Sequence, residues 1–187
     1  MNKIKSIFLI VLFICLAFIT FGCTGGKKSE IEEYIKTIGE SINDCKELVS
    51  TTTITDSEIL VYEQTKEIIY LEEEKANVTT KTKKLSESSF AFEENTSAEY
   101  EVDVKKASLF TLNCTKEQIK DYVDKDGKIE FKVDNENIKT VLSDDKLNIV
   151  EDATFVIELS DKHIVSFTCT YKKTANLVVC ISSIYSY

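Results

Sequence analysis

Lys128-Ile129-Glu130-Phe131-Lys132-Val133 alternates charged and apolar side chains without a break. A period of two places Ile129, Phe131 and Val133 on one side of an extended chain and the charges on the other, the pattern of a strand with one buried and one wetted face. The pattern recurs around it. Ile59 and Val61, Ile68 and Tyr70, Phe90 and Phe92, and Tyr100, Val102 and Val104 alternate with polar residues, and Thr154–Leu159, His163–Tyr171 and Leu177–Tyr187 continue the series. Connections such as Glu94-Asn95-Thr96, Ser160-Asp161-Lys162 and Lys172–Thr174 are short. Parallel neighbours need crossovers of about a dozen residues, so strands joined this closely pair antiparallel. The Glu-, Lys-, Thr- and Ser-rich stretch Glu72–Ser89 has little to bury and predicts mobile edge strands.

Two segments read as helix instead. Ser29-Glu30-Ile31-Glu32 has the form of a capping box, in which the two side chains satisfy orphan backbone donors. Apolar residues then fall at Ile31, Tyr34, Ile35, Ile38, Ile42, Cys45, Leu48 and Val49, with Glu33, Lys36, Glu40 and Lys46 opposite. Spacings of three and four describe one stripe, so a long N-terminal helix packing on its own sheet is expected. Thr115-Lys116-Glu117-Gln118, followed by Ile119, Tyr122 and Val123, has the same signature on a smaller scale. The expected architecture is α+β: a long N-terminal helix on a curved, mostly antiparallel sheet of about eight to ten strands, with one short inserted helix.

The first residues carry an address. Lys3 and Lys5 precede an uncharged apolar run from Ile7 to Gly22, and Cys23 follows directly. A basic start, an apolar middle and a small residue before the cut form a secretory signal peptide. Ile19-Thr20-Phe21-Gly22-Cys23 resembles the lipobox of bacterial lipoproteins, with Thr20 where that family usually has Leu, Val or Ile. The resemblance implies that the Cys23 thiol receives diacylglycerol and becomes the first residue of the mature chain, commonly with palmitate among the acyl groups. Two acyl chains suffice for stable anchoring. The alternative is an uncleaved signal anchor, although a spanning helix needs ~20 apolar residues and this run is shorter. The expected organisation is a signal peptide over 1–22, a lipid-anchored linker over 23–28 and a single domain over 29–187. Localisation follows as the extracytoplasmic face of the cell membrane.

A lipid-anchored helix leading into a curved antiparallel sheet is similar in element order to the LolA- and LppX-type lipoproteins. That resemblance implies an unclosed barrel half-wrapping a cavity for acyl chains.

Charge narrows the partners. The chain has 23 cations, all lysine, against 32 acids, for a net charge of −9, and cleavage after Gly22 would remove two of the cations. An acidic body lacks the clustered basic face that nucleic acid requires. It also disfavours broad adhesion to anionic lipid, which leaves the anchoring to Cys23.

Beyond Cys23 and the discarded Cys15, the cysteines are Cys45, Cys114, Cys169 and Cys180. Cys169 and Cys180 flank a turn centred between Thr174 and Ala175, so a symmetric hairpin sets them opposite each other. Opposed Cβ atoms lie ~4.5–5.5 Å apart, near disulfide distance. Four reduced, buried thiols are the alternative. No C-x-x-C occurs, so neither a redox motif nor a thiolate zinc site is signalled.

Catalytic and metal readings find little support. Asp124-Lys125-Asp126-Gly127 resembles the centre of an EF-hand loop, but Tyr122 and Val133 stand where two required carboxylates belong. Asp-Gly before a strand is first a turn signal. His163 is the only histidine. The acidic runs Glu72–Glu74, Glu93-Glu94 and Asp144-Asp145 read as solvated faces. No catalytic, metal or cofactor site is therefore expected. The expected function is a non-enzymatic binding or accessory module of the cell envelope, whose partner is an envelope protein. The alternative is a carrier of a hydrophobic ligand or lipid, and a cavity between helix and sheet would distinguish them.

Overall fold

The structure is a computed structural model that describes residues 31, 33, 45–104, 114–125, 127–160 and 163–187. Its frame is one nine-stranded sheet in the order β4-β3-β2-β1-β9-β8-β7-β6-β5, antiparallel at every junction. The strands are β1 Glu47–Asp56, β2 Ile59–Tyr70, β3 Lys75–Leu85, β4 Phe92–Asp103, β5 Ile119–Lys125, β6 Lys128–Val133, β7 Ala153–Ser160, β8 His163–Lys172 and β9 Leu177–Ser186. Two meanders, β1 to β4 and β5 to β9, are joined where the first strand pairs with the last.

The antiparallel sheet matches the alternation in the sequence. The α+β expectation does not stand, because the chain is nearly all β with no long helix among the described residues. Ile31 and Glu33 are helical and Ile31 is fully buried, but residues 34–44 lie outside the described residues. Leu48 and Val49, expected at the end of the helix, belong to β1. The run Val49 to Thr55 is rich in β-branched residues, which lose rotamer freedom in a helix and favour a pleated surface. Leu48 and Ser50 point inward at a period of two.

The second expected helix is a turn at 116–118 and a strand from Ile119 onward. Half of its cap chemistry forms: the Thr115 N–H donates to Gln118 Oε1 at 2.9 Å, whereas the Gln118 N–H donates to the Thr115 backbone carbonyl at 3.0 Å rather than to its hydroxyl. The chain then extends into β5 instead of winding on, because Ile119 is buried in line with Val133 of β6. Among the described residues a short helix, α1, forms at Ile138–Val141 and buries Ile138 and Val141. Glu94-Asn95-Thr96, expected as a connection, lies within β4. Within the stretch expected as edge strands, β3 is interior, paired on both sides, and β4 is the edge.

The core covers one face of β5 to β9 and only the base of β1 to β3. Phe131, Phe155 and Phe167 come from adjacent strands. The first two rings stack at 5.1 Å between centroids, and Phe155 meets Phe167 at 6.0 Å. Ile129, Ile157, Ile164, Cys169 and Val179 extend this layer, and α1, Leu147 and Ile149 belong to the same core. Fully burying a large apolar side chain is worth ~1.5–3 kcal/mol, so the cohesion of the molecule is concentrated here.

Candidate functional site

Two strongly exposed apolar side chains, Phe90 at 83% and Ile59 at 63%, stand where the hairpins β3–β4 and β1–β2 turn. A cleft of about 540 Å³ opens there, lined by Ile54, Asp56, Val61, Tyr62, Lys84, Leu85, Ser86, Glu87 and Phe90. Two irregularities shape it. The β1–β2 register shifts between Ile54 and Thr55, so that Val61 is an extra residue opposite them. A bulge of this kind bends the strand and re-aims its side chains. In the β3–β4 turn, Phe90 sits at φ 52° while its N–H donates to the Ser86 carbonyl at 3.0 Å. A bulky residue in the left-handed region is strained. Phe90 is nevertheless 83% exposed, and the turn puts this aromatic ring in water rather than in the core. Ile59 and Phe92 are exposed close by in sequence, at the start of β2 and of β4.

A second cleft of about 610 Å³ lies across β5 to β8, lined by Val123, Gly127, Lys128, Glu130, Glu158, Leu159 and Val165. Two carboxylates face it, but Glu158 is already satisfied. Ser166 Oγ donates to it at 2.8 Å and Lys128 Nζ lies 3.3 Å away. The Ser166 hydrogen bond and then the Lys128 contact hold the Glu158 carboxyl below the usual range, with burial acting weakly the other way. A general acid needs the opposite shift. This arrangement is a charge-balanced surface.

The residues singled out from the sequence are scattered. Cys23 lies outside the described residues. The expected Cys169–Cys180 opposition is off by one register step: Cys169 pairs with Ile181 and Cys180 with Thr170. A slip of one residue moves a side chain to the other face, so Cys169 is buried in the core while Cys180 is on the opposite side of the sheet. Both are free thiols, as is Cys45. Burial pushes the Cys169 thiol well above its ordinary value, and more modestly that of Cys45, whose Sγ donates to the carbonyls of Glu47 at 2.9 Å and Ser186 at 3.3 Å.

The Asp-Gly pair marks the β5–β6 turn. Asp126 lies outside the described residues. Gly127 has φ 76°, which favours glycine, and a Cβ there would sit tightly, 3.1 Å from the Leu159 carbonyl. Among the described residues no group of three or more His, Cys, Asp or Glu gathers as metal ligands would. His163 packs its ring against Tyr187 at 4.7 Å between centroids. Glu72–Glu74 and Glu93-Glu94 lie at opposite ends of β3, and Asp144-Asp145 follow α1, so the three acidic runs share no cleft.

Phe90, Leu85 and Tyr62 were not evident as a site from the sequence. Phe90 has a local signal, an aromatic residue after the polar Ser86-Glu87-Ser88-Ser89. Its meeting with Ile54 and Tyr62 depends on β1 being a strand.

No family model matches the chain, and no curated protein matches it. Among solved structures, an inactive mutant of the CurK dehydratase aligns with 82% of this chain and 78% of its own, at 11% identity and a TM-score of 0.26. The dehydratase domain from the CurK module of curacin polyketide synthase aligns with 85% and 81%, at 9% identity and a TM-score of 0.22. Likeness at this level carries no argument about function.

Proposed function

We propose that this chain is a lipoprotein held on the extracytoplasmic face of the cell membrane by diacylglycerol on Cys23, and that it binds another envelope protein without catalysing a reaction. The observation that supports binding is the hairpin-tip cleft, where Phe90 is 83% exposed beside Leu85 and Tyr62. Exposed apolar patches rimmed by polar residues mark interaction sites, and buried aromatic anchors dominate interface energetics. Asp56, Lys84 and Glu87 supply such a rim.

A photo-crosslinking side chain placed at position 90 of the membrane-bound chain should capture an envelope protein that the same probe at Thr170 does not. Leu85→Ser should abolish that capture. Equal capture from both positions would defeat the reading. The anchor is tested separately: Cys23→Ser should release the protein or leave it unprocessed, and unchanged detergent-phase partitioning would refute lipidation.

The cleft volume also falls within the ~300–1,000 Å³ of small-ligand sites, which favours a second reading as a carrier of a hydrophobic ligand. Native mass spectrometry distinguishes the two. A co-purifying hydrophobe that is lost on Phe90→Ser would support the carrier.

A further inference from the structure

The sheet has two edges, and they are built differently. β5 has seven residues, its register shifts between Lys120 and Val123, and Asp121 lies at φ 45°. Two of its charges are matched: Lys120 lies 3.4 Å from Asp134 and 3.7 Å from Asp152, and Asp121 is 3.4 Å from Lys132. The opposite edge, β4, has twelve residues and is exposed at all but one of them. From Phe92 to Glu99 it pairs with Leu85 to Val78 without a shift, and among the described residues no strand covers its outer side. The regular stretch ends at a bulge, where Glu101 lies at φ 50° and its N–H donates to Asn77 Oδ1 at 3.0 Å.

The paired charges alternate in sign from β2 to β4, although β2 also carries Lys66. β2 carries Glu63 and Glu67. β3 answers with Lys83 at 3.2 Å and Lys81 at 2.8 Å. β4 then sets Glu93 opposite Lys84 and Glu94 opposite Lys83. It contains no cation, and Glu93, Glu94 and Glu99 make no ion pair among the described residues. The next strand in this series would be basic.

We propose that the outer edge of β4, Phe92–Glu99, accepts an extended, lysine-bearing segment of a partner protein by strand addition. In this mode backbone hydrogen bonds supply the attraction and alternate side chains the selectivity. Exposed edges are ordinarily blunted by proline, by short length or by bulges. Phe92–Glu99 uses none of these, and the chain contains no proline. What it has is charge of one sign. A second copy of β4 would oppose carboxylate to carboxylate, which is destabilising, whereas lysines are matched on both faces of the added strand. The edge therefore rejects itself and admits a basic strand. This site is distinct from the hairpin-tip cleft and does not depend on it.

The test uses the full chain in detergent micelles with two blocked peptides, one alternating lysine with valine and the other glutamate with valine. The lysine peptide should bind at least about tenfold more tightly at low salt, with the preference shrinking at high salt. It should slow amide exchange in Phe92–Glu99 and leave β5 unchanged. Combining Glu93→Lys, Glu94→Lys and Glu99→Lys, all at exposed positions, should reverse the preference in favour of the glutamate peptide. Equal affinity for the two peptides, protection confined to β5, no binding, or dimerisation of the chain through β4 would each overturn the proposal.

Discussion

The two halves of one sheet are held together by different forces. Across β6 to β8, Phe131, Phe155, Phe167, Ile129 and Ile157 are almost fully excluded from water. Across β2 to β4, Ile68 and Ala76 are the buried positions. The strands beyond them present Thr, Lys, Glu, Gln and Asn, with both faces at least partly wetted. There the ladder rests on backbone hydrogen bonds and on cross-strand pairs such as Thr51–Thr65 at 3.3 Å and Lys81–Glu67 at 2.8 Å. Cross-strand pairs are worth only ~0.2–1 kcal/mol each. One half therefore supplies most of the stability, while the other extends the sheet into solvent as a platform that ends in the hairpin-tip cleft and the acidic edge.

The sharpest way to break this comparison is to truncate one mid-strand side chain to alanine in each half. Phe155→Ala should cost about 3–5 kcal/mol in urea denaturation. Thr80→Ala in β3 should cost less than about 1 kcal/mol, as expected where only pair contacts are lost. Similar losses at the two sites would mean that the halves are not mechanically distinct.

A second test probes the boundary between them. The Tyr70 hydroxyl is buried with no hydrogen-bond partner among the described residues, and burial pushes its proton affinity up to about 12. Tyr70→Phe should stabilise the protein at neutral pH by about 1 kcal/mol, since an unpaired buried hydroxyl is removed. A raised value means that the neutral phenol is the folded form. The ionised form is the penalised one, so stability is unaffected by this group below the ordinary value near 10 and falls as pH rises through about 12. Tyr70→Phe should therefore flatten the loss of stability across that window, and an unchanged alkaline profile would count against it.

A smaller gain is expected at the β1–β2 turn. Ser57 and Glu58 both have positive φ, at 50° and 70°, in a loop where Asn-Gly fits better. Ser57→Asn combined with Glu58→Gly should raise stability by about 0.5–1 kcal/mol, measured by thermal unfolding. Smallest of all, Lys81→Ala should cost about 0.2–1 kcal/mol and less in high salt, as for other exposed ion pairs. A larger, salt-insensitive loss would show that the polar half depends on more than surface pairs.

The strands of the cohesive half were legible because one buried face imposes a period of two. Lys128–Val133 forms β6 at those limits, and Thr154–Leu159, His163–Tyr171 and Leu177–Tyr187 fall on β7, β8 and β9. The polar half was harder to read. With neither face fully buried, Glu94-Asn95-Thr96 looks like a turn although it is mid-strand, and nothing in Glu72–Ser89 shows that β3 is interior. Phe90 was legible as an apolar residue, but not as part of the lining of a cleft.

By itself the sequence determined that the chain is built from antiparallel strands, because side-chain alternation and short connections are local properties. It also contained the cap contacts of Thr115 and Gln118 and the glycine turn at Gly127. Tertiary structure decided the rest. Leu48 and Val49 satisfy helical spacing in isolation, yet pairing of Glu47–Asp56 with both β2 and β9 makes the segment a strand. Pairing with β6 likewise extends Ile119–Lys125 after a cap that would suit a helix. The β8–β9 register separates Cys169 from Cys180 by one step, which no local pattern encodes. Period and turn chemistry act within a few residues, whereas register and strand order depend on which distant surfaces must be buried together.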